Sequence, residues 1–99
     1  MKTTFATRHF DSGRDLKQYS LDEVTKLEQF FDGIITCDIV LEPSNDHDNP
    51  CTAELRVQVP KKLLHGSETG QTYEQAINNA VDNLVRQIRK YKTKHFEHH

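Results

Sequence analysis

Nine consecutive residues constrain this chain more than any others. From 51 to 59, Cys51, Ala53, Leu55, Val57 and Val59 alternate strictly with Thr52, Glu54, Arg56 and Gln58. A period of two over nine residues fits a strand with one buried and one wet face, and no helix can satisfy it. Ile35, Cys37, Ile39 and Leu41 repeat the pattern against Thr36, Asp38 and Val40, so a second strand of the same kind is predicted. Such strands need a sheet, and the apolar face of that sheet needs a cover.

The cover is legible on both sides of the pair. Towards the C-terminus, Tyr73, Ile77, Ala80, Val81, Leu84, Ile88 and Tyr91 form one apolar stripe at helical spacing. Thr72 is placed to cap that helix, which reaches Lys94 or beyond and runs to about 34 Å, long enough for its end to protrude past a four-stranded sheet. Towards the N-terminus, Leu16, Val24, Leu27 and Phe31 mark a helix from Gly13 to Phe31, stopped by Asp32-Gly33. Ser12 with Asp15 reads as its capping box. A short strand, Lys2–Thr7, with Thr3, Phe5 and Thr7 on one face, precedes it. Glu42–Pro50 reads as a mobile loop, and Leu63–Thr69, entered through Pro60-Lys61-Lys62 and closed by Gly70, as a fourth strand. The predicted order is β-α-β-β-β-α in one domain over residues 1–99, an α+β sandwich with both helices on one face of a four-stranded sheet.

Composition excludes several classes. With 99 residues the chain sustains one core, and eight aromatics argue against disorder despite 28% charged residues. No apolar run approaches the ~20 residues of a membrane span, and Met1–Arg14 lacks an apolar export segment. Two cysteines, 37 and 51, make no disulfide framework, which fits a reducing cytoplasm. Cys37 reads as a small core residue on the buried face, and Cys51 likewise. Asp46-His47-Asp48 lacks the Gly and closing Glu of a calcium loop. His9 and His65 have no spaced partners, and neither a phosphate loop nor a nucleophile motif is present. An enzyme, a cofactor, a metal and a small-molecule substrate are therefore not expected. His98-His99, after Glu97, read as either a tag remnant or native residues.

Charge is the informative feature. Residues 1–60 carry six basic and eleven acidic side chains, and residues 61–99 seven and four. Arg86, Arg89, Lys90, Lys92 and Lys94 place five cations in nine residues with no acid among them. On the helical wheel Arg86, Arg89, Lys90 and Lys94 fall opposite the apolar stripe and Lys92 at its flank. A solvated face that complements the helix dipole accounts for one or two cations; a ridge for a polyanion accounts for all five. Arg8, Lys17 and Lys26 either widen that patch or are ordinary surface residues.

These residues resemble a known family. Lys26-Leu27-Glu28-Gln29-Phe30-Phe31-Asp32, Tyr73-Glu74-Gln75-Ala76-Ile77 and the run Leu84–Lys94 are similar to the short ribosome hibernation promoting factors, also called ribosome-associated inhibitor or sigma-factor modulation proteins. Ala53-x-Leu55-x-Val57 and Glu68 also fit. The resemblance spans nearly the whole chain. It implies a β-α-β-β-β-α fold similar to a double-stranded-RNA-binding domain. It also implies a cytoplasmic protein, monomeric when free, that binds the small ribosomal subunit where mRNA and the A- and P-site tRNAs lie. By the same resemblance Arg8, Lys17, Lys26, Arg86, Arg89, Lys90, Lys92 and Lys94 contact rRNA phosphates, and the dimerisation domain of long forms is lacking. Glu23, Thr7 and Gln71-Thr72 depart from the family pattern, the first where many members carry Lys. Two other readings stay open: a module for free double-stranded RNA, and a protein-binding regulator of a transcription sigma factor.

Overall fold

The computed structural model describes residues 1–96, with side chains to Lys94. The expectation for Glu97–His99 lies outside the described residues. The elements are β1 (Lys2–Thr7), α1 (Gly13–Thr25) running into a 3-10 segment (Lys26–Gln29), β2 (Thr36–Pro43), β3 (Cys51–Val59), β4 (Lys62–Gly70) and α2 (Tyr73–Phe96). The sheet order is β1-β2-β3-β4. β1 runs parallel to β2, with Phe5 beside Ile39, through the α1 crossover. The other two pairings are antiparallel, with Ile39 opposite Leu55 and Leu55 opposite Gly66.

One face of this sheet is dry. Cys37, Ile39, Leu41, Ala53, Leu55, Val57, Val59 and Leu64 are buried beneath Ala76, Ile77, Ala80, Val81, Leu84, Ile88 and Tyr91 of α2, with Val24 and Leu27 closing the side. The other face is wet and polar. There Thr4 donates to Asp38 at 2.6 Å, and Glu54 meets the His65 ring nitrogen at 2.8 Å. The β3–β4 register places Gly66 opposite Leu55, directly under the helix. A Cβ at Gly66 would stand 2.6 Å from a methyl of Leu84, so the glycine lets α2 sit close to β4.

Thr72 caps α2 as predicted. Its hydroxyl accepts the Gln75 N–H at 3.1 Å, and the Gln75 side-chain oxygen accepts the Gln71 N–H at 2.7 Å, a reciprocal cap. Ser12 does not cap α1. Its backbone is already helical, at φ −80°, its hydroxyl donates to the Gly13 carbonyl, and Gly13 stands at φ +74°. That left-handed turn leaves the hydroxyl unavailable to the first-turn N–H groups. Asp15 still places a negative charge in the first turn.

Two further expectations are corrected. Helix one does not reach Phe31 as a regular helix. It ends at Thr25 and tightens, with Phe30 and Phe31 N–H groups both donating to the Leu27 carbonyl, as helix ends often do. The tightening buries Leu27 and turns the Phe31 ring over Gly33 and edge-on to Tyr91 at 5.5 Å. Ile35 is 53% exposed, and Ile34 fills the core instead. Ile35 lies before β2, tied by backbone bonds to Gln58 and Lys2 at the sheet end, beyond the helical cover.

The loop between β2 and β3 is held by its own polar groups: Ser44 N–H to the Pro50 carbonyl at 2.7 Å, and Asp48 N–H to the Asp46 carboxylate at 2.9 Å. Among the described residues no helix is long and apolar enough to cross a membrane, and no group of three or more His, Cys, Asp or Glu side chains is placed to hold a metal ion.

Candidate nucleic-acid interface

α2 is stitched down along both flanks, which fixes what its outer face presents. On the β4 side Asn79 donates to the Thr69 carbonyl (3.0 Å), Asn83 to the Glu68 carboxylate (2.7 Å) and Gln87 to the His65 carbonyl (2.7 Å). These residues are four apart and so share one row. On the α1 side the Tyr19 hydroxyl donates to Asn78 (2.9 Å). Phe10, from the β1–α1 connection, stacks on Tyr73 at 4.4 Å between ring centroids. Arg89 lies over the Phe30 ring at 5.3 Å, a cation–π contact between the 3-10 segment and α2.

From the α1 flank outward runs the row Asn78, Asp82, Arg86, Lys90, Lys94, again four apart. Its charge changes sign after Asp82. From residue 83 to residue 96 the sequence holds no acid. Arg86, Arg89, Lys90 and Lys94 are exposed, in the positions expected from the wheel. None of them is in an ion pair among the described residues.

The remaining predicted residues divide. Lys92 is half-buried and lines a hollow on the helix-one side with Glu28, Phe30, Phe31 and Asp32. Lys26 stands beside α2 near Asn78 and Asp82, but it is bonded to Glu23 at 2.6 Å. That hydrogen bond pushes the Lys26 ammonium above the usual lysine range. Arg8 is 3.8 Å from Glu42 at the opposite end of the sheet, next to the start of α2. Lys17 is exposed on α1, about 160° around the helix from Tyr19, which faces α2. The structure thus brings Arg86, Arg89, Lys90 and Lys94 together, with Lys26 and Lys92 adjoining. Arg8 and Lys17 are not part of that cluster.

One basic residue near the ridge escaped the sequence reading. Lys62 opens β4 and lines a groove of about 270 Å³ with Leu64, Gln87, Lys90, Tyr91 and Lys94. The pair Lys61-Lys62 was visible, but its position depends on α2 returning over the β3–β4 turn, which no local pattern encodes.

The cysteines offer no competing chemistry. Cys37 is fully buried, as expected, and burial pushes its thiol up to about 12. Cys51 is buried at the strand start, its thiol also raised by burial and held 3.8 Å from the Gln71 carbonyl. Both are free.

Comparison with known proteins agrees with this geometry. The profile described as sigma 54 modulation protein / S30EA ribosomal protein matches residues 3–95. The chain is 31% identical over 83 residues to the ribosome hibernation promoting factor of Escherichia coli, covering 84% of each chain. It is 32% identical over the same length to the factor of that name from Klebsiella oxytoca, again with 84% of each covered. Two solved structures share the fold. The N-terminal domain of Thermus thermophilus Protein Y superposes with a TM-score of 0.78 at 23% identity, covering 92% of this chain and 99% of that one. A ribosomal subunit interface protein from Coxiella burnetii superposes with a TM-score of 0.83 at 14% identity, covering 94% and 99%. With a profile match over almost its whole length and relatives above 30% identity, the chain belongs to the sigma 54 modulation protein / S30EA ribosomal protein family.

Proposed function

We propose that this protein is a ribosome hibernation factor that binds the small ribosomal subunit over the mRNA and the A- and P-site tRNA positions and holds the ribosome idle. The observation that carries the reading is the second half of α2: Arg86, Lys90 and Lys94 in one exposed row, Arg89 beside it, and no acid from residue 83 to residue 96. Phosphate contacts position a protein on RNA without reading its sequence. A folded RNA is met through shape and backbone, which a fixed cationic helix face suits. Lys26 and Lys92 adjoin this face, whereas Arg8 and Lys17 would need a second contact on the subunit. The relatives, named for ribosome hibernation and for the ribosomal subunit interface, support the same partner. The role asks for occupancy only, and no reaction is assigned.

Competition on purified small subunits tests the proposal. Subunits preloaded with mRNA and P-site tRNA should exclude the protein, and bound protein should block their loading and inhibit cell-free translation. Equal binding to free double-stranded RNA would favour the generic module. Binding to empty and loaded subunits alike would overturn the site.

A further inference from the structure

The groove under the end of α2 is built from two parts of the chain that the ridge alone does not explain. Lys62 comes from the β3–β4 turn, and Lys90 and Lys94 come from the helix; Leu64, Gln87 and Tyr91 complete the lining. Among the described residues no carboxylate lines it, and none of the three lysines is in an ion pair.

The turn is fixed rather than draped. The Tyr91 hydroxyl donates to the Pro60 carbonyl at 2.9 Å, which ties the turn to the helix. The Gln58 amide donates to both the Val59 and Lys62 carbonyls, at 2.8 and 2.9 Å, which closes it from beneath. Lys61 sits at φ +67°, a conformation few residues other than glycine adopt. Three ammonium groups held around one concavity repel one another. A frame that fixes the backbone positions from which all three side chains start favours a compact anion with several acceptor oxygens.

We infer that Lys62 joins Lys90 and Lys94 in a groove that takes a backbone phosphate of the bound RNA, so that the interface extends from α2 onto the β3–β4 turn. This rests on the reading of α2 as an RNA-facing ridge. It adds a binding residue outside both helices, 28 positions before Lys90 in sequence.

Two single variants of equal charge separate the groove from mere net charge. Lys62→Gln removes a groove lysine. Lys61→Asn removes the neighbouring charge, which does not line the groove, with a residue that tolerates positive φ. Binding to small subunits is measured over a salt series. Lys62→Gln should lower affinity about tenfold and flatten the slope of log affinity against log salt by about 0.7–0.9, the loss of one phosphate contact. Lys61→Asn should change affinity less than about twofold and leave the slope alone. In parallel, the free protein is titrated with tripolyphosphate and read by NMR. The Lys62, Lys90 and Lys94 signals should shift together in wild type and in Lys61→Asn, and the Lys90 and Lys94 shifts should shrink in Lys62→Gln. Equal behaviour of the two variants in both assays overturns the inference and leaves the ridge intact. Subunits that ignore the wild-type protein overturn the RNA reading and with it the RNA phosphate as occupant, even where the groove answers tripolyphosphate.

Discussion

The two halves of α2 share one apolar stripe but differ in what their outer residues do. In the first half, Tyr73–Leu84, the polar groups are used inside the molecule: Gln75 in the cap, Asn78 with Tyr19, Asn79 with Thr69, Asn83 with Glu68. Its two charges, Glu74 and Asp82, are both acidic. In the second half, Val85–Phe96, Gln87 and Tyr91 tie the helix to His65 and Pro60, and the exposed cations Arg86, Lys90 and Lys94 have no ion-pair partner among the described residues. On the proposed reading, stability and binding are divided along one helix. The first half secures it to the sheet, and the second half presents charge that the fold leaves unneutralised. Unpaired surface charge contributes little to stability, so its concentration here points to a partner.

The largest expected effect comes from reversing charge in the second half. Arg86→Glu with Lys90→Glu should weaken small-subunit binding by roughly two to four decades, since each charged contact is worth about 1.5–3 kcal/mol. The melting temperature should move by only a few degrees, because both side chains are exposed. This pair is cleaner than one containing Arg89, whose contact with Phe30 mixes packing with charge. Unchanged binding in the folded variant would break the division between the halves.

Next is the salt response. If about five phosphates are neutralised, raising salt from about 50 to 200 mM should cost two to three decades of affinity. Isotherms that barely move would assign the interface to uncharged contacts.

The mirror experiment addresses the first half. Asn79→Ala with Asn83→Ala removes two ties to β4 and should cost about 1–3 kcal/mol in denaturant unfolding, while the variant that remains folded binds subunits like wild type. A loss of binding without a loss of stability would invert the assignment. Smaller again is Cys37→Ala, which should cost about 1–2 kcal/mol through a minor cavity and leave binding intact. Since burial holds the Cys37 thiol up to about 12, the thiol stays protonated at pH 8. Alkylation there should await unfolding, whereas prompt labelling of the native protein would contradict its burial.

Much of the frame was legible because it is periodic. β3 could be read residue for residue, Cys51 to Val59, and the α2 stripe from Ile77 to Tyr91 was found intact. What was not legible depends on groups distant in sequence or on a single backbone angle. Ser12 and Thr72 look alike as caps, yet only Thr72 works, because Gly13 adopts positive φ. Ile34 and Ile35 are equal in hydrophobicity, and the end of the helical cover decides which is buried. Among the candidate contacts, the exposed face of Arg86, Lys90 and Lys94 followed from the wheel. The pairing of Lys26 with Glu23 is a matter of rotamer, that of Arg8 with Glu42 depends on β1 lying beside β2, and the approach of Lys62 depends on the return of α2 over the sheet.

The central claim, that the second half of α2 is the face that meets the ribosome, is tested most directly by lysine acetylation followed by mass spectrometry, with and without saturating small subunits. The account predicts strong protection of Lys90 and Lys94, and of Lys62 beside them, while Lys17, on the far flank of α1, keeps its reactivity. Protection of Lys17 with Lys90 and Lys94 left as reactive as in the free protein would contradict it.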